Sequence, residues 1–247
     1  MGAQISPAII LRIKEFGESD LLIGFFTSDK GRLKGVAKGA RRSRRRFSNC
    51  LDLFCLTNLE YESKRKGELY FIHSCKLVHA FPEVRSDFFS LTLASYMTEL
   101  TETLFPLAVE DEKMFELLKE SFYAINKGTR RDVLRIFFEA RAMALGGYGI
   151  DLGNCCRCGR PYTGGGDAVF EPQRGGIACL NCRQESSTTP LLSPGSVRSL
   201  RVMQSFGLES LEATDLTDEM VSGIKVVNRL HIDYRIGQRL KTAQYLE

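Results

Sequence analysis

No stretch of these 247 residues approaches the ~18 consecutive apolar positions that a membrane-spanning helix needs, which excludes a chain of that kind. Histidine is scarce. The three present, His73, His79 and His231, are not paired in sequence with a plausible nucleophile and read as surface or capping residues rather than as bases. Three catalytic signatures are also missing: the G-x-x-x-x-G-K-[ST] phosphate loop, the G-x-S-x-G elbow and the zinc-deaminase pattern of H-x-E with P-C-x-x-C. GGYGIDLG is too loose for a dinucleotide fingerprint and reads as a helix stop. The acidic pairs Glu110–Asp111 and Asp215–Asp218 fall at expected helix starts, where the dipole already favours carboxylates. No enzyme class is supported.

The N-terminal MGAQISPAIILRIKEF has neither a basic n-region nor a small-residue cleavage site, so no signal peptide is expected. Gly2 and Ser6 match the myristoylation pattern, but a buried strand is expected from Ile9 to Phe16, and a lipid anchor needs a free tail.

What the chain does have is a local excess of positive charge. Nine of its 34 Lys and Arg lie between Lys30 and Arg46; without them, 25 bases face 30 acids. RLKGVAKGARRSRRRF, residues 32 to 47, contains no acid at all. Such an asymmetry points to a polyanion at one place, nucleic acid or anionic lipid, rather than to a generally basic surface. Lys34, Lys38, Arg41, Arg42, Arg44, Arg45 and Arg46 are strung along an expected strand and the loop after it, with Gly35 and Gly39 permitting close backbone approach. The competing reading is a solvated loop without a partner. Tyr61, Tyr70 and Phe71 would supply base stacking if exposed, and core if not.

Five segments in the first eighty residues alternate or run apolar as strands do: IILRIKEF, DLLIGFFT, RLKGVAKGA, LDLFCLTNLEYES and ELYFIHSCKLVHAF. SDKG and KRKG supply turns, with Gly31 available for positive φ. Five strands and a long basic connection after the third suit a small OB-type barrel over residues 1–81. From Pro82 the period changes. Leu93, Met97, Leu100 and Leu104 recur at helical spacing, with Ser86 as expected N-cap and Pro106 as stop. Further amphipathic helices follow in DEKMFELLKESFYAIN, RRDVLRIFFEARAMALGG, SPGSVRSLRVMQSF and LTDEMVSGIKVVNRLHIDYRIGQRLKTAQYLE. The expected fold class is therefore α+β: the barrel, then an α-helical domain over 82–247.

That helical domain is interrupted at about 152–185 by a Cys- and Gly-rich insertion. Cys155, Cys158, Cys179 and Cys182 form C-x2-C-x20-C-x2-C, the spacing of two knuckles facing one tetrahedral zinc. Disulfides suit an oxidising compartment, a thioredoxin-like site needs a βαβ context, and nothing else indicates an iron–sulfur cluster. Four thiolates leave no open position, so the zinc is expected to be structural. Cys156 reads as a bystander, and Cys50, Cys55 and Cys75 as core.

Taken together, AIILRIKEFGESDLLIGFFTSDKGRLKGVAKGARR, LEYESKRKGELYFI, CxxCG with GGIACLNC, and HIDYRIGQRLKTAQYL resemble, in order, the bacterial RecO family of recombination mediator proteins. The resemblance implies an OB domain, a helical domain bearing a zinc ribbon, and no catalytic turnover. It implies binding of single- and double-stranded DNA, strand annealing, and action with RecR, and in some species RecF, to load recombinase onto strands covered by single-stranded-DNA-binding protein. It further implies docking of that protein's acidic, apolar C-terminal tail on the helical domain, for which Arg235, Arg239 and Lys241 of RIGQRLKTAQYL are the candidates. The expected location is the cytoplasm, in association with the nucleoid. The alternative is a zinc-containing interaction scaffold whose DNA contact is incidental.

Overall fold

In the computed structural model, which describes residues 2–43, 45–63, 69–183, 190–211 and 215–246, the alternating N-terminal segments become five strands. These are β1 (Gln4–Phe16), β2 (Asp20–Thr27), β3 (Gly31–Ala37), β4 (Leu56–Ser63) and β5 (Leu69–His79). They close in the order β1-β2-β3-β5-β4, with β3 and β5 parallel and the other pairs antiparallel. Two long strands make closure possible. Residues 4–9 of β1 pair with β4 and residues 8–16 with β2, so that Ala8 and Ile9 serve both neighbours, and a bulge between Ile10 and Arg12 in the β2 pairing bends the strand. β5 likewise serves β3 and β4. This is the OB-type barrel, and Ile10, Ile23, Phe25, Leu33, Leu59, Tyr61 and Ile72 fill it.

Two glycines are required by position. Gly31 turns β2 into β3 at φ +68, and a Cβ there would lie 1.8 Å from the Val109 carbonyl oxygen. Gly35 lets β3 pass close to β5, since its Cβ would sit 2.9 Å from Ile72 Cγ1. The fourth strand begins later than LDLFCLTNLEYES predicts. Phe54 adopts φ 68 and donates its amide to the Ile10 carbonyl at 2.8 Å, so residues 51–55 form a packed bend against the β1 bulge. The KRKG turn lies outside the described residues.

The chain divides into two compact units, Met1–Gly128 and Thr129–Glu247. The first includes α1 (Phe88–Leu104) and α2 (Glu112–Asn126) along with the barrel. Asp87 caps α1 by accepting from the Phe89 and Ser90 amides, one residue beyond the expected Ser86, which ends a preceding 3-10 turn. Asp111 caps α2 at the Met114 amide, the helix-start role that its sequence position predicts. Edge-to-face contacts between Phe26 and Phe115, and between Phe54 and Phe122, seal α2 to the barrel unit.

In the second unit, α3 (Arg131–Leu145) packs against α4 (Pro194–Ser205) and α5 (Asp218–Ile236). Between α3 and α4 lies a small sheet in the order β6-β8-β7-β9, from β6 (Asp151–Cys155), β7 (Ala168–Glu171), β8 (Gly176–Cys179) and β9 (Leu191–Leu192). These strands run from Asp151 to Leu192, between α3 and α4 in sequence. Two expectations are corrected here. His231 is a core residue, not a surface one: it is 1% exposed, its Nε2 meets the Tyr148 carbonyl, and its ring packs edge-on to Phe170. The last helix does not run through RIGQRLKTAQYL, because Gly237 at φ 72 ends α5 and only a short 3-10 turn, Ala243–Tyr245, follows.

Candidate nucleic-acid interface and metal centre

The basic run divides according to which way the β3 pleat points each side chain. Leu33 and Ala37 face the barrel interior, so Lys34 and Lys38 project outward and are exposed. Arg32 is the exception in the run. Its guanidinium is half-buried and donates to the Glu102 and Phe105 carbonyls at the end of α1, where helix C-terminal oxygens lack intrahelical partners. Burial lowers its pKa from the ordinary arginine value, partly offset by Glu102. Arg32 is therefore a structural cap.

Past β3, the chain is pinned to the β1–β2 turn. Gly39, at φ +65, donates to Asp20 Oδ1 at 2.8 Å, and the Arg41 amide donates to the Ser19 carbonyl at 3.0 Å. Arg46 clasps the far side: its Nη2 donates to the Lys38 carbonyl at 2.8 Å, its guanidinium lies 5.0 Å from the Phe47 ring centre, and its own carbonyl accepts from the Cys75 amide. Arg41, Arg42, Arg45 and Arg46 are all exposed on this anchored turn, and Arg44 lies outside the described residues. Backbone hydrogen bonds thus tie this turn to the β1–β2 turn and to β5. Arg41 pairs with Glu15 at 3.1 Å, an exposed contact of about 0–1 kcal/mol that a phosphate readily displaces. Among the described residues, Lys34, Lys38, Arg42 and Arg45 pair with no carboxylate.

The aromatic candidates separate as well. Tyr61 is fully buried between Phe25 and Tyr70 and stacks on nothing external. Tyr70 points inward and packs on the same core. Phe71 faces outward on β5, half-buried, with Lys38 Nζ 5.6 Å from its ring centre and His73 5.1 Å away. The parallel β3–β5 pairing, which sets Val36 beside Phe71, brings that ring to the cations. Sequence separation hid this juxtaposition, although the out-facing parity of Lys38 and Phe71 carried part of the signal.

In the second unit, the sulfurs of Cys155, Cys158, Cys179 and Cys182 all lie within 4.8 Å of one another, a cluster that can hold a metal ion. The β6–β8 pairing brings the two knuckles together, and Gly159 at φ +74 closes the first by donating to the Cys155 carbonyl at 2.9 Å. The set fits tetrahedral thiolate ligation. Metal–sulfur bonds near ~2.3 Å put sulfurs about 3.8 Å apart, and Cys158 and Cys179 are 3.9 Å apart. Burial raises the Cys155 thiol, but amides of Cys158, Cys179 and Arg157 outweigh it and bring it down to about 6. Cys182 is pushed up to about 12, first by its hydrogen bond to Cys179. Four cysteine sulfurs at this spacing are a donor set that a dication completes. Cys156 lies outside the cluster; Cys50 and Cys55 are buried and Cys75 half-buried in the first unit. Arg235 is exposed in the last turn of α5, crossing Gly175, while exposed Arg239 and Lys241 lie beyond the helix.

An OB-type barrel with an outward cationic strand and turn, joined to a helical unit carrying a tetracysteine cluster, is the class that the fold and these side chains define. The chain belongs to the Recombination protein O family: the model for its N-terminal part matches residues 1–81 and that for its C-terminal part residues 85–244. Among its relatives, DNA repair protein RecO of Desulfatibacillum aliphaticivorans is 32% identical, covering 98% of this chain and 95% of the relative. That of Syntrophus aciditrophicus (strain SB) is 29% identical over 98% and 94% of the two chains. That of Syntrophobacter fumaroxidans (strain DSM 10017 / MPOB) is 33% identical over 83% and 82%.

Proposed function

We propose that this protein is a non-catalytic, DNA-binding recombination mediator in DNA repair. It binds single- and double-stranded DNA through Lys34, Lys38, Arg41, Arg42, Arg44, Arg45 and Arg46, anneals complementary strands, and helps load recombinase onto strands covered by single-stranded-DNA-binding protein. The observation that carries this reading is the anchored row of exposed cations on the outer side of β3 and the turn after it. Guanidinium groups held on a fixed backbone meet phosphates without first losing loop entropy, and they displace counterions as they do so. Phosphate contacts of this kind carry no sequence information, so binding is largely sequence-independent.

RecR, and RecF where present, are the proposed partners, with the acidic tail of single-stranded-DNA-binding protein received by Arg235, Arg239 and Lys241. The place of action is the cytoplasm, at the nucleoid. One Zn²⁺ held by Cys155, Cys158, Cys179 and Cys182 supplies a structural cross-link when bound. The four residues of this chain fix the two knuckles and leave no coordination position for water.

Strand binding and annealing test the function directly. Replacing Arg41, Arg42 and Arg45 together by Gln should weaken binding to both single- and double-stranded DNA by tenfold or more at low salt, on the order of 1.4 kcal/mol, and slow annealing in parallel. Unchanged affinity and annealing would refute the placement. A stable complex with the partner proteins, formed without DNA and unaffected by these substitutions while DNA affinity stays negligible, would favour the scaffold instead.

A further inference from the structure

The outer side of β1, β2 and β3 holds a cavity of about 350 Å³. Its lining is mostly apolar and includes Leu11, Leu22 and Leu107. Gly24 keeps the middle of β2 open. It faces outward, between the inward Ile23 and Phe25, and a Cβ there would already lie 3.2 Å from Arg12 Cβ. Arg32 also lines the cavity and is held rigidly by the α1 carbonyls and by Glu102, to which Arg12 is paired at 2.7 Å. With all those contacts made, the Arg32 Nε remains buried and donates to nothing among the described residues. Lys14 and Lys34, both exposed, lie on the strands flanking β2, and no described carboxylate pairs with either.

We infer that this cavity receives one unstacked base of a single-stranded nucleic acid, with Lys14 and Lys34 on the adjoining phosphates. The inference rests on the nucleic-acid reading above and gives it a strand preference. A base has apolar faces for the leucine lining. Its phosphates lie to either side, where the two lysines are. In a duplex the base stays stacked and paired and cannot enter, so the cavity discriminates strandedness while the arginine turn does not. An acidic peptide with an apolar end is the rival occupant. Continuity through Lys34 with Lys38 and the arginine turn favours the nucleic-acid strand.

The test uses the full-length protein with three probes: a 20-nucleotide oligo-dT, an abasic strand of the same length and charge, and a duplex. The expected result is at least fivefold weaker binding of the abasic strand. Leu107→Trp, a change at a 37% exposed side chain that fills the cavity, should lower the ratio of single-strand to duplex affinity by a similar factor. A 2-aminopurine base within the strand should change its fluorescence on binding the wild-type protein and much less on binding the variant. Equal affinity for the abasic and normal strands would overturn the inference while leaving phosphate binding intact. So would an abasic effect that Leu107→Trp does not reproduce, because the base would then be held elsewhere. An acidic peptide that occupies the cavity without competing with oligo-dT would assign it to peptide and overturn the inference as well. Failure of all three DNA probes to bind would instead remove the functional reading beneath it.

Discussion

Arg32 and Arg41 belong to one basic run, yet they do opposite things. Arg32 spends its donors on the α1 carbonyls, whereas Arg41 holds an exposed carboxylate that solvent and salt easily replace. Charge counts treat them alike; the β3 pleat and the end of α1 separate them. His231 shows the same dependence on surroundings. Burial holds it below its ordinary value of 6.5, opposed by the hydrogen bond to the Tyr148 carbonyl and assisted by the Arg235 charge. A folded value below the unfolded one means the neutral imidazole is favoured in the native state. The stability it contributes is intact above the unfolded value and is lost as pH falls from there toward the folded one. The thermal midpoint should therefore drop as pH falls below the ordinary histidine value of 6.5, and His231→Gln should shrink that drop. An identical pH slope in the variant would assign the acid sensitivity to other groups.

Among the elements, α3 carries an ion pair where none is visible from outside. Arg135 Nε meets Glu139 Oε1 at 2.8 Å, with side-chain exposures of 6% and 0%, and Arg135 Nη1 reaches the Leu246 carbonyl at 3.0 Å. Removing only the cation would leave a buried carboxylate, so Arg135→Ala should cost about 3–5 kcal/mol in urea denaturation. Arg135→Met with Glu139→Leu should recover most of that loss. A cost under about 1 kcal/mol for the single change would show the pair to be solvated. The i,i+4 spacing of the pair was legible, but its burial was not, because apolar neighbours on the same helix surround it. The barrel strands and helices were largely legible from periods of two and 3.6. What escaped were places where one residue's backbone overrode the pattern: Phe54 at φ 68 delays β4, and Gly237 at φ 72 stops α5 short of the basic RIGQRLKTAQYL face. The paired C-x2-C spacing was the most legible site feature, since two knuckles with four ligands admit few other geometries.

For the whole molecule, the division at Gly128 and Thr129 makes separable predictions for its two functional groups. Cys155→Ser or Cys179→Ser should remove about one zinc per chain and expose residues 152–183 to protease. DNA affinity of the barrel's arginine turn should change by less than about threefold, because that turn is anchored within the first unit. Protein purified under reducing conditions with no zinc would contradict the metal assignment. The family models match residues 1–81 and 85–244, so both units fall within the matched length.

The central claim is that the β3 cations and the turn after it are where polyanionic strands bind. It is tested most directly by measuring DNA affinity across a salt series for the wild-type protein and for the Arg41→Gln, Arg42→Gln, Arg45→Gln triple variant. The account predicts that the slope of log affinity against log salt becomes shallower by roughly 0.9 per lost phosphate contact on duplex, and roughly 0.7 on single strands. A variant whose affinity and slope both match the wild type would contradict it.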